Sequence, residues 1–376
     1  MKIAIITETF LPSTDGVVTR LCASIRWLKK QGHEILVIAP DLGVSDFEGV
    51  KVAGVPAYTF FLYKDKKLSF FSKKVKAYLK DFQPDLVHAV NPAFLGATGI
   101  YYTKKLKLPL MASYHTHVPK YADYYHFSFL KPAMWKYFKK LHDQASLNLC
   151  TSKAVLKELE EKNFHNLHHW KRGVDTKQFH PSYFSQDMRN RLSNGQPEKT
   201  LLLFVGRLAP EKEVEKIKSV LEKSNDYCLA IVGDGPHRSF LEKHFKGTNT
   251  IFTGFLHGDD LASAYASSDL FVFPSTTETL GLVLMEAMAA GLPVISADSG
   301  PTGEQIEDGV NGLLYHATHP DGLFNTVEKL KNKEDRVKMG VRAHEGIQSV
   351  GWDDQSSQLY DYYMQTLELH HNKAAK

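Results

Sequence analysis

The sequence has little cysteine and no long apolar run. Cys22, Cys150 and Cys228 are the three cysteines of 376 residues. They are far apart, odd in number and form no CxxC pair, which argues against a disulfide framework and a zinc site. No apolar stretch approaches the roughly 20 residues that a spanning helix needs. The strand-like Ile3–Ile6 follows Met1 at once and leaves no room for a secretory leader. The expectation is a soluble protein facing a reducing cytoplasm, peripheral to any membrane it meets. Formal charge is only +4 at pH 7, too small to suggest nucleic acid as a partner without a dense patch. A GxGxxG run is also missing, which counts against a dinucleotide-dependent dehydrogenase; that alternative predicts a nicotinamide-dependent absorbance change.

What is present is an ordinary globular composition, 43% apolar and 23% charged. The length exceeds that at which one core stops growing, so two domains are expected. Site-like features are densest in Asp269–Val294. Leu270–Phe273 is a short apolar run that Pro274 stops, as expected of a buried strand at its end. Ser275, Thr276 and Thr277 supply turn chemistry. Leu284, Ala287 and Met288 recur at helical spacing, which predicts a helix from near Gly281 to Gly291. Glu278 in the loop and Glu286 in the helix have seven residues between them. First-turn amides favour an anion, while two acids suit polyols or a cation. An anion and a polyol together describe a sugar phosphate at the end of a parallel strand. The bland alternative is a surface loop residue and a solvated helix position.

The first half opens with strand Lys2–Thr7, loop Thr9–Gly16, helix Val17–Gln31 and strand Glu34–Ala39. This βαβ unit with apolar strands implies a parallel sheet covered by helices. Gly16 at the mouth of the helix either admits a bulky anion or is a plain turn glycine. Alternation continues to strand Leu110–Tyr114, which runs into His115-Thr116-His117. His115 either orients a substrate at that strand end or is a satisfied structural histidine. His115 and His117 have no third ligand at metal spacing, and no metal is expected. Lysines mix with aromatics in Tyr63–Lys80 and Lys120–Leu141. That mixture fits an anionic bilayer surface, single-stranded nucleic acid, or a solvated basic face over an aromatic core. The other motifs argue against nucleic acid.

Phe179–Lys199 is polar and broken by Pro181, Gly195 and Pro197, which predicts a boundary there. The expected domains are 1–180 and 181–350, with a C-terminal helix in 351–376 packing back on the first. Strand Leu201–Val205 ends in Gly206-Arg207, with Glu211-Lys212 just beyond. Two cations at a strand end could clamp a pyrophosphate. Helix Val214–Lys223, strand Cys228–Val232, Gly233-Asp234-Gly235-Pro236 and helix His237–Phe245 repeat the grammar of the first half. The expected site is a crevice between two α/β domains.

Gly206-Arg207 with Glu211-Lys212, Gly233-Asp234-Gly235-Pro236 and the E-x7-E pair Glu278/Glu286 resemble the retaining glycosyltransferases of family GT4. A closer similarity, to the sulfoquinovosyltransferases of cyanobacteria and plastids, rests on four runs. They are Thr9-Phe10-Leu11-Pro12 with Asp15-Gly16-Val17-Val18, Ser113–Pro119, Arg172-Gly173-Val174-Asp175, and Met188-Arg189 with Arg191-Leu192-Ser193. The resemblance implies a GT-B fold, two Rossmann-like domains facing each other across a donor/acceptor cleft. It implies Gly16 against the donor pyrophosphate, Arg207 and Lys212 binding it, Glu286 on the ribose and Glu278 on the hexose. The segment Thr279, Leu280, Gly281 and Leu282 would line the donor, and His115 would sit beside the reacting carbon. The implied donor is UDP-sulfoquinovose, a substrate rather than a cofactor, and the acceptor diacylglycerol at an anionic membrane surface. The alternative is a glucosyl- or mannosyltransferase acting on a lipid or polysaccharide. One departure is that Ser299–Glu304 replaces the family's Gly-Gly-Ile-Pro-Asp run beside the donor cleft. A sulfonate stays anionic and needs donors when buried. Lys171, Arg172 and Thr116 are the candidates for it, or else the first two are exposed hinge residues.

Overall fold

Short apolar runs punctuated by glycine and proline become the strands of two parallel sheets. The computed structural model describes residues 1–60 and 63–374. Tyr63, Lys64 and Lys66 of the first basic–aromatic segment lie outside the residues whose side chains are described, and Ala375 and Lys376 lie outside the described chain. Two units result, Met1–Gly173 with Trp352–Lys376, and Val174–Gly351.

The first unit begins with β1 (Lys2–Thr7), α1 (Gly16–Lys30), β2 (Glu34–Pro40), β3 (Asp46–Phe47) and β4 (Val50–Val55). A hairpin of β5 (Tyr58–Phe60) and β6 (Tyr63–Leu68) leads to α2 (Lys73–Phe82), β7 (Leu86–Val90), α3 (Leu95–Lys105) and β8 (Leu110–Tyr114). Then come α4 (Val118–Tyr121), α5 (Lys131–His142), β9 (Leu147–Cys150), α6 (Lys153–Glu161) and β10 (Leu167–His169). The sheet order is β10-β9-β8-β7-β1-β2-β4-β3, parallel except for the β3–β4 pair. Every residue of β7, β8 and β9 is buried, as in a sheet with both faces covered. On α1, Asp15 caps the start by accepting from the Val18 amide at 3.2 Å. Val18, Leu21, Ile25 and Leu28 then share one buried face.

The helix Trp352–Ala374 belongs to this unit, far from it in sequence. Leu359 and Tyr363 are fully buried in the core with Trp170, each burial contributing about 2–3 kcal/mol. The Trp170 indole donates to the Gln355 carbonyl at 3.0 Å.

The second unit holds α7 (Gln186–Leu192), β11 (Thr200–Val205), α8 (Lys218–Lys223), β12 (Tyr227–Val232), α9 (Arg238–His244), β13 (Thr250–Gly254) and α10 (Gly258–Ala266). It continues with β14 (Leu270–Phe273), α11 (Leu282–Ala289), β15 (Val294–Ala297), β16 (Gly312–Tyr315), α12 (Gly322–Glu328) and α13 (Lys333–Ile347). Its all-parallel order is β13-β12-β11-β14-β15-β16.

Two expectations differ from this. The chain crosses between units at Gly173–Val174, ahead of the boundary expected at 180. The polar Phe179–Lys199 stretch is part of the second unit, because Ser185 caps α7 and Arg189 of α7 pairs with Asp269 at 2.8 Å. The helix expected over Val214–Lys223 is also broken. Glu213, before it, sits in the left-handed region at φ 53°, and a 3-10 turn at Val214–Ile217 precedes α8.

Candidate active site

In the second unit the strand order reverses between β11 and β14, and ligands in such sheets bind beyond the strand ends at the reversal. Arg207 and Lys212 follow β11, while Glu278 and Glu286 follow β14. All four sequence-predicted charges of this unit therefore come after the two strands that flank it. Lys212 Nζ pairs with Glu278 Oε1, and Arg207 Nη2 with Glu211 Oε1. Glu211, which sequence reasoning did not assign to the site, is 1% exposed. Ser275 Oγ lies 3.2 Å from both Glu278 Oε1 and the Glu211 carbonyl. Thr277 donates to that carbonyl at 3.2 Å, and Thr276 to Glu213 at 2.9 Å. The loops after β11 and β14 are thereby tied into one cluster in which each cation faces a carboxylate.

The Gly-Asp-Gly-Pro run serves this cluster by close packing. A Cβ on Gly233 would fall 2.0 Å from the Gly206 carbonyl oxygen, and one on Gly235 2.3 Å from that of Leu208. Only glycine lets the loop after β12 lie against the arginine loop, where the Leu208 amide reaches the Asp234 carbonyl at 3.0 Å.

Gly281, at φ 72°, turns the chain into α11, a helix buried nearly all round. The first-turn amides of a helix have no partner inside it. Thr279 and Leu280 are buried beside this turn, as is Leu282 at the start of the helix. Glu286 is the one charged residue of α11. As a residue it is half-buried, yet protein surrounds its carboxylate, and that desolvation pushes its pKa up to about 7. The Tyr265 hydroxyl donates to Glu286 Oε2 at 2.8 Å and holds the group in place. The departure at Ser299–Glu304 folds as a turn, with Thr302 Oγ1 donating to the Ala297 carbonyl at 2.7 Å. Just beyond it, the Gln305 amide donates to the Leu280 carbonyl. Gln305, unpredicted, thus steadies the loop between the two glutamates.

The first unit holds the remaining predicted residues. Gly16 is the first residue of α1, beside the capping Asp15, which also accepts from Thr9 Oγ1 at 3.1 Å. His115, directly after β8, is 6% exposed, and its Nε2 lies 2.9 Å from Ser113 Oγ. Its backbone amide and that of Thr116 both donate to Asn91 Oδ1 at 3.0 Å. Burial, with the Arg20 cation nearby, holds the His115 imidazole well below its ordinary pKa and therefore neutral. The half-buried Thr116 precedes His117, whose ring bonds Glu158 at 2.8 Å.

Lys171 is exposed and Arg172 half-buried at the crossing out of this unit. The Lys171 backbone is fixed at both ends, its amide to Gln358 at 2.7 Å and its carbonyl to Arg20. Arg20 is itself buried, its guanidinium 3.6 Å from the centre of the Trp170 ring. Glu8, after β1, was also missed. It accepts from the amides of Ala93, Phe94 and Gly96 at 2.8–2.9 Å and of Leu95 at 3.1 Å, filling the start of α3. Among the described residues no group of three or more His, Cys, Asp or Glu side chains is placed to hold a metal ion. No described helix is long and apolar enough to cross a membrane.

Two Rossmann-like units, with cations and carboxylates gathered at the strand reversal of the second, are the parts of a GT-B glycosyltransferase. The chain belongs to glycosyltransferase family 4. Residues 14–178 match the model described as Glycosyltransferase Family 4, and 187–345 that of Glycosyl transferases group 1. It is similar to the sulfoquinovosyl transferase SQD2 of Arabidopsis thaliana, 38% identical over 90% of this chain and 68% of that protein. A GDP-mannose-dependent alpha-mannosyltransferase of Corynebacterium glutamicum is 34% identical over 98% of this chain and 90% of its own. An alpha-monoglucosyldiacylglycerol synthase of Streptococcus pneumoniae is 30% identical, covering 92% and 85%. The solved sucrose-phosphate synthase from Thermosynechococcus elongatus matches with a TM-score of 0.80 over 97% of this chain and 98% of that one. At 19% identity it shows the fold alone.

Proposed function

We propose that this glycosyltransferase moves a hexose, glucose or mannose, from a nucleoside-diphosphate donor to a diacylglycerol-type lipid, with retention. The observation that carries the reading is the cluster at the β11/β14 reversal, where Arg207 and Lys212 stand beside Glu278. Two cations match a diphosphate, one carboxylate in the loop matches the sugar hydroxyls, and Glu286 matches the ribose. The donor C1–O bond to the diphosphate breaks as the acceptor oxygen bonds C1 on the same face. The acceptor proton passes to the departing phosphate, and Arg207 and Lys212 meet the charge that builds there. His115 orients the sugar.

A lipid acceptor is supported by the surface of the first unit. Phe70, Phe71, Phe94, Tyr101 and Tyr137 are 39–62% exposed. They adjoin one another, with ring centres 5.4 Å apart for Phe70–Phe94 and 5.9 Å for Phe71–Tyr101, and the Tyr137 hydroxyl on the Ala93 carbonyl. Lys73 and Lys74 are exposed close by in sequence, and Lys105 lies over Tyr101. Aromatics edged by lysines suit an anionic bilayer. The relatives named for diacylglycerol and for mannose transfer both support the hexose reading.

Sulfoquinovose from its UDP donor is the second reading, favoured by the 38% identity to SQD2; Lys171, Arg172 and Thr116 would then meet the sulfonate. The test offers diacylglycerol vesicles with UDP-glucose, GDP-mannose or UDP-sulfoquinovose and weighs the lipid product. A hexosyl lipid is expected. Preference for UDP-sulfoquinovose, lost in K171E and R172E, replaces the first reading with the second, and no lipid product from any donor overturns both.

A further inference from the structure

The turn between β7 and α3 is tightly held. Asn91, the first residue after β7, has φ 49°, in the left-handed region that asparagine adopts more readily than most side chains. Its backbone amide donates to the Ser113 carbonyl at 2.7 Å, which fixes it against the end of β8. Glu8 takes the amides of residues 93–96, and a Cβ on Gly96 would fall 2.7 Å from Pro92 Cβ.

The partners of Asn91 also orient its side chain. The backbone amides of His115 and Thr116 both donate to Oδ1 at 3.0 Å. A backbone N–H can only donate, and of the two ends of an asparagine amide only the oxygen accepts. The NH2 end is therefore fixed as the one turned away from those amides, by the protein and before any ligand arrives. Asn91 is half-buried. Its side-chain nitrogen meets no hydrogen-bond partner among the described residues and is not sealed from solvent.

Two features put this donor where a ligand binds. The strand order of the first unit reverses between β1 and β7, and open parallel sheets bind ligands beyond the strand ends at the reversal. Of the two loops there, the one after β1 has its carboxylate committed to the start of α3, and the one after β7 presents Asn91. Phe94, three residues on, belongs to the exposed aromatic patch, and three residues span at most about 11 Å. A lipid seated on that patch brings its polar end within reach of Asn91.

We propose that Asn91 is an acceptor-binding residue, its Oδ1 holding the His115–Thr116 turn and its Nδ2 donating to a hydroxyl oxygen of the acceptor's glycerol. The identity of the acceptor rests on the function proposed above; the orientation of the amide does not. A neutral NH2 uses a lone pair of the hydroxyl oxygen and leaves the hydroxyl hydrogen to the departing phosphate, whereas a carboxylate in its place would compete for that hydrogen.

The test uses the full-length protein labelled with 15N-asparagine and dioctanoylglycerol as the probe, alone and with UDP or GDP. The Asn91 side-chain pair is the one missing from the spectra of N91D and N91G. It should shift with dioctanoylglycerol and stay in place with either nucleotide alone; a pair that dioctanoylglycerol never moves overturns the proposal. N91D keeps an oxygen for the two amides and a residue type that tolerates this backbone, so its Tm should stay near that of the parent. N91G keeps the backbone and removes the donor without adding charge. In both, the acceptor KM should rise about tenfold, the scale of one hydrogen bond, with the donor KM unchanged. An unchanged acceptor KM, or an equal rise for donor and acceptor, makes Asn91 a structural residue only and defeats the idea. The spectrum needs no turnover. A shift without lipid product keeps the contact and removes the proposed transfer, and product without a shift does the reverse.

Discussion

The two units present the same crossroads of their sheets and use it in opposite ways. In the first, the strand order reverses between β1 and β7; in the second, between β11 and β14. After β1 comes Glu8, whose carboxylate already fills the amides at the start of α3. After β11 come Arg207 and Lys212, held by carboxylates in the neighbouring loops. A helix start that carries the protein's own anion has no room for another, whereas the proposed function has the cations after β11 exchange their carboxylate partners for a diphosphate. In the proposed reading the nucleotide belongs to the second unit, and His115 of the first acts as a neutral imidazole.

The hardest test of that contrast is the charge cluster. K212A should lower kcat/KM about 100- to 1,000-fold, the scale of losing one group that meets transition-state charge, while the fold survives. Turnover within twofold of the parent would place the diphosphate elsewhere. Glu8 should respond in the opposite manner. E8A strands four amides and should cost about 3 kcal/mol of stability, with nucleotide affinity per folded molecule unchanged. Weakened nucleotide binding by folded E8A would erase the distinction between the units.

Glu286 sharpens the contrast through pH. Its folded pKa of about 7 lies above the ordinary 4.5, so between those values the native state holds a proton that the unfolded chain has released. Stability from this group therefore falls as pH rises from about 4.5 to 7 and is level beyond. E286Q removes the penalty and should be more stable than the parent at pH 8, by up to about 3 kcal/mol, with little difference at pH 4. Denaturant melts at the two pH values decide it, and a variant equally stable or weaker at pH 8 refutes the assignment. The smallest effect is expected on the aromatic surface. F71E should reduce flotation with anionic vesicles several-fold at low salt, and added salt should release the parent as well. Equal flotation of both proteins removes the lipid-facing role from that patch.

Much of this was legible in the chain because parallel strands buried on both faces are written as short apolar runs. Leu110–Tyr114 and Leu270–Phe273 are strands as read and Leu201–Val205 lies within β11, so the polar residues after them fall beyond strand ends. Glu278, Glu286, Arg207 and Lys212 were readable for that reason. Local pattern fails where a partner is remote. Nothing near Glu8 says that its carboxylate will meet residues 93–96, and nothing near Tyr363 announces its 3.0 Å contact with His88. Gln305 follows a segment that looked like a gap in the family pattern, and its contact with Leu280 depends on how that turn closes. The boundary expected at 180 lies late because Pro181, Gly195 and Pro197 resemble a linker, whereas Ser185 and Arg189 bind that stretch into the second unit. The 3-10 start at Val214–Ile217 has no mark in composition, and neither has the positive φ of Glu213 just before it.

The return of the last helix to the first unit has a consequence during synthesis. The ribosome completes Val174–Gly351 as one uninterrupted piece, so the second unit has all its parts while the C-terminal helix is still unmade. The first unit, although begun earlier, must wait with Trp170 and the floor beneath Leu359 and Tyr363 uncovered until the helix Trp352–Ala374 emerges. Non-local closure of this kind is slow and leaves apolar surface open to aggregation. A nascent chain stalled after Gly351 should thus show a protease-resistant second unit and a protease-sensitive first one, and equal resistance of the two would mean that the first unit folds without its last helix.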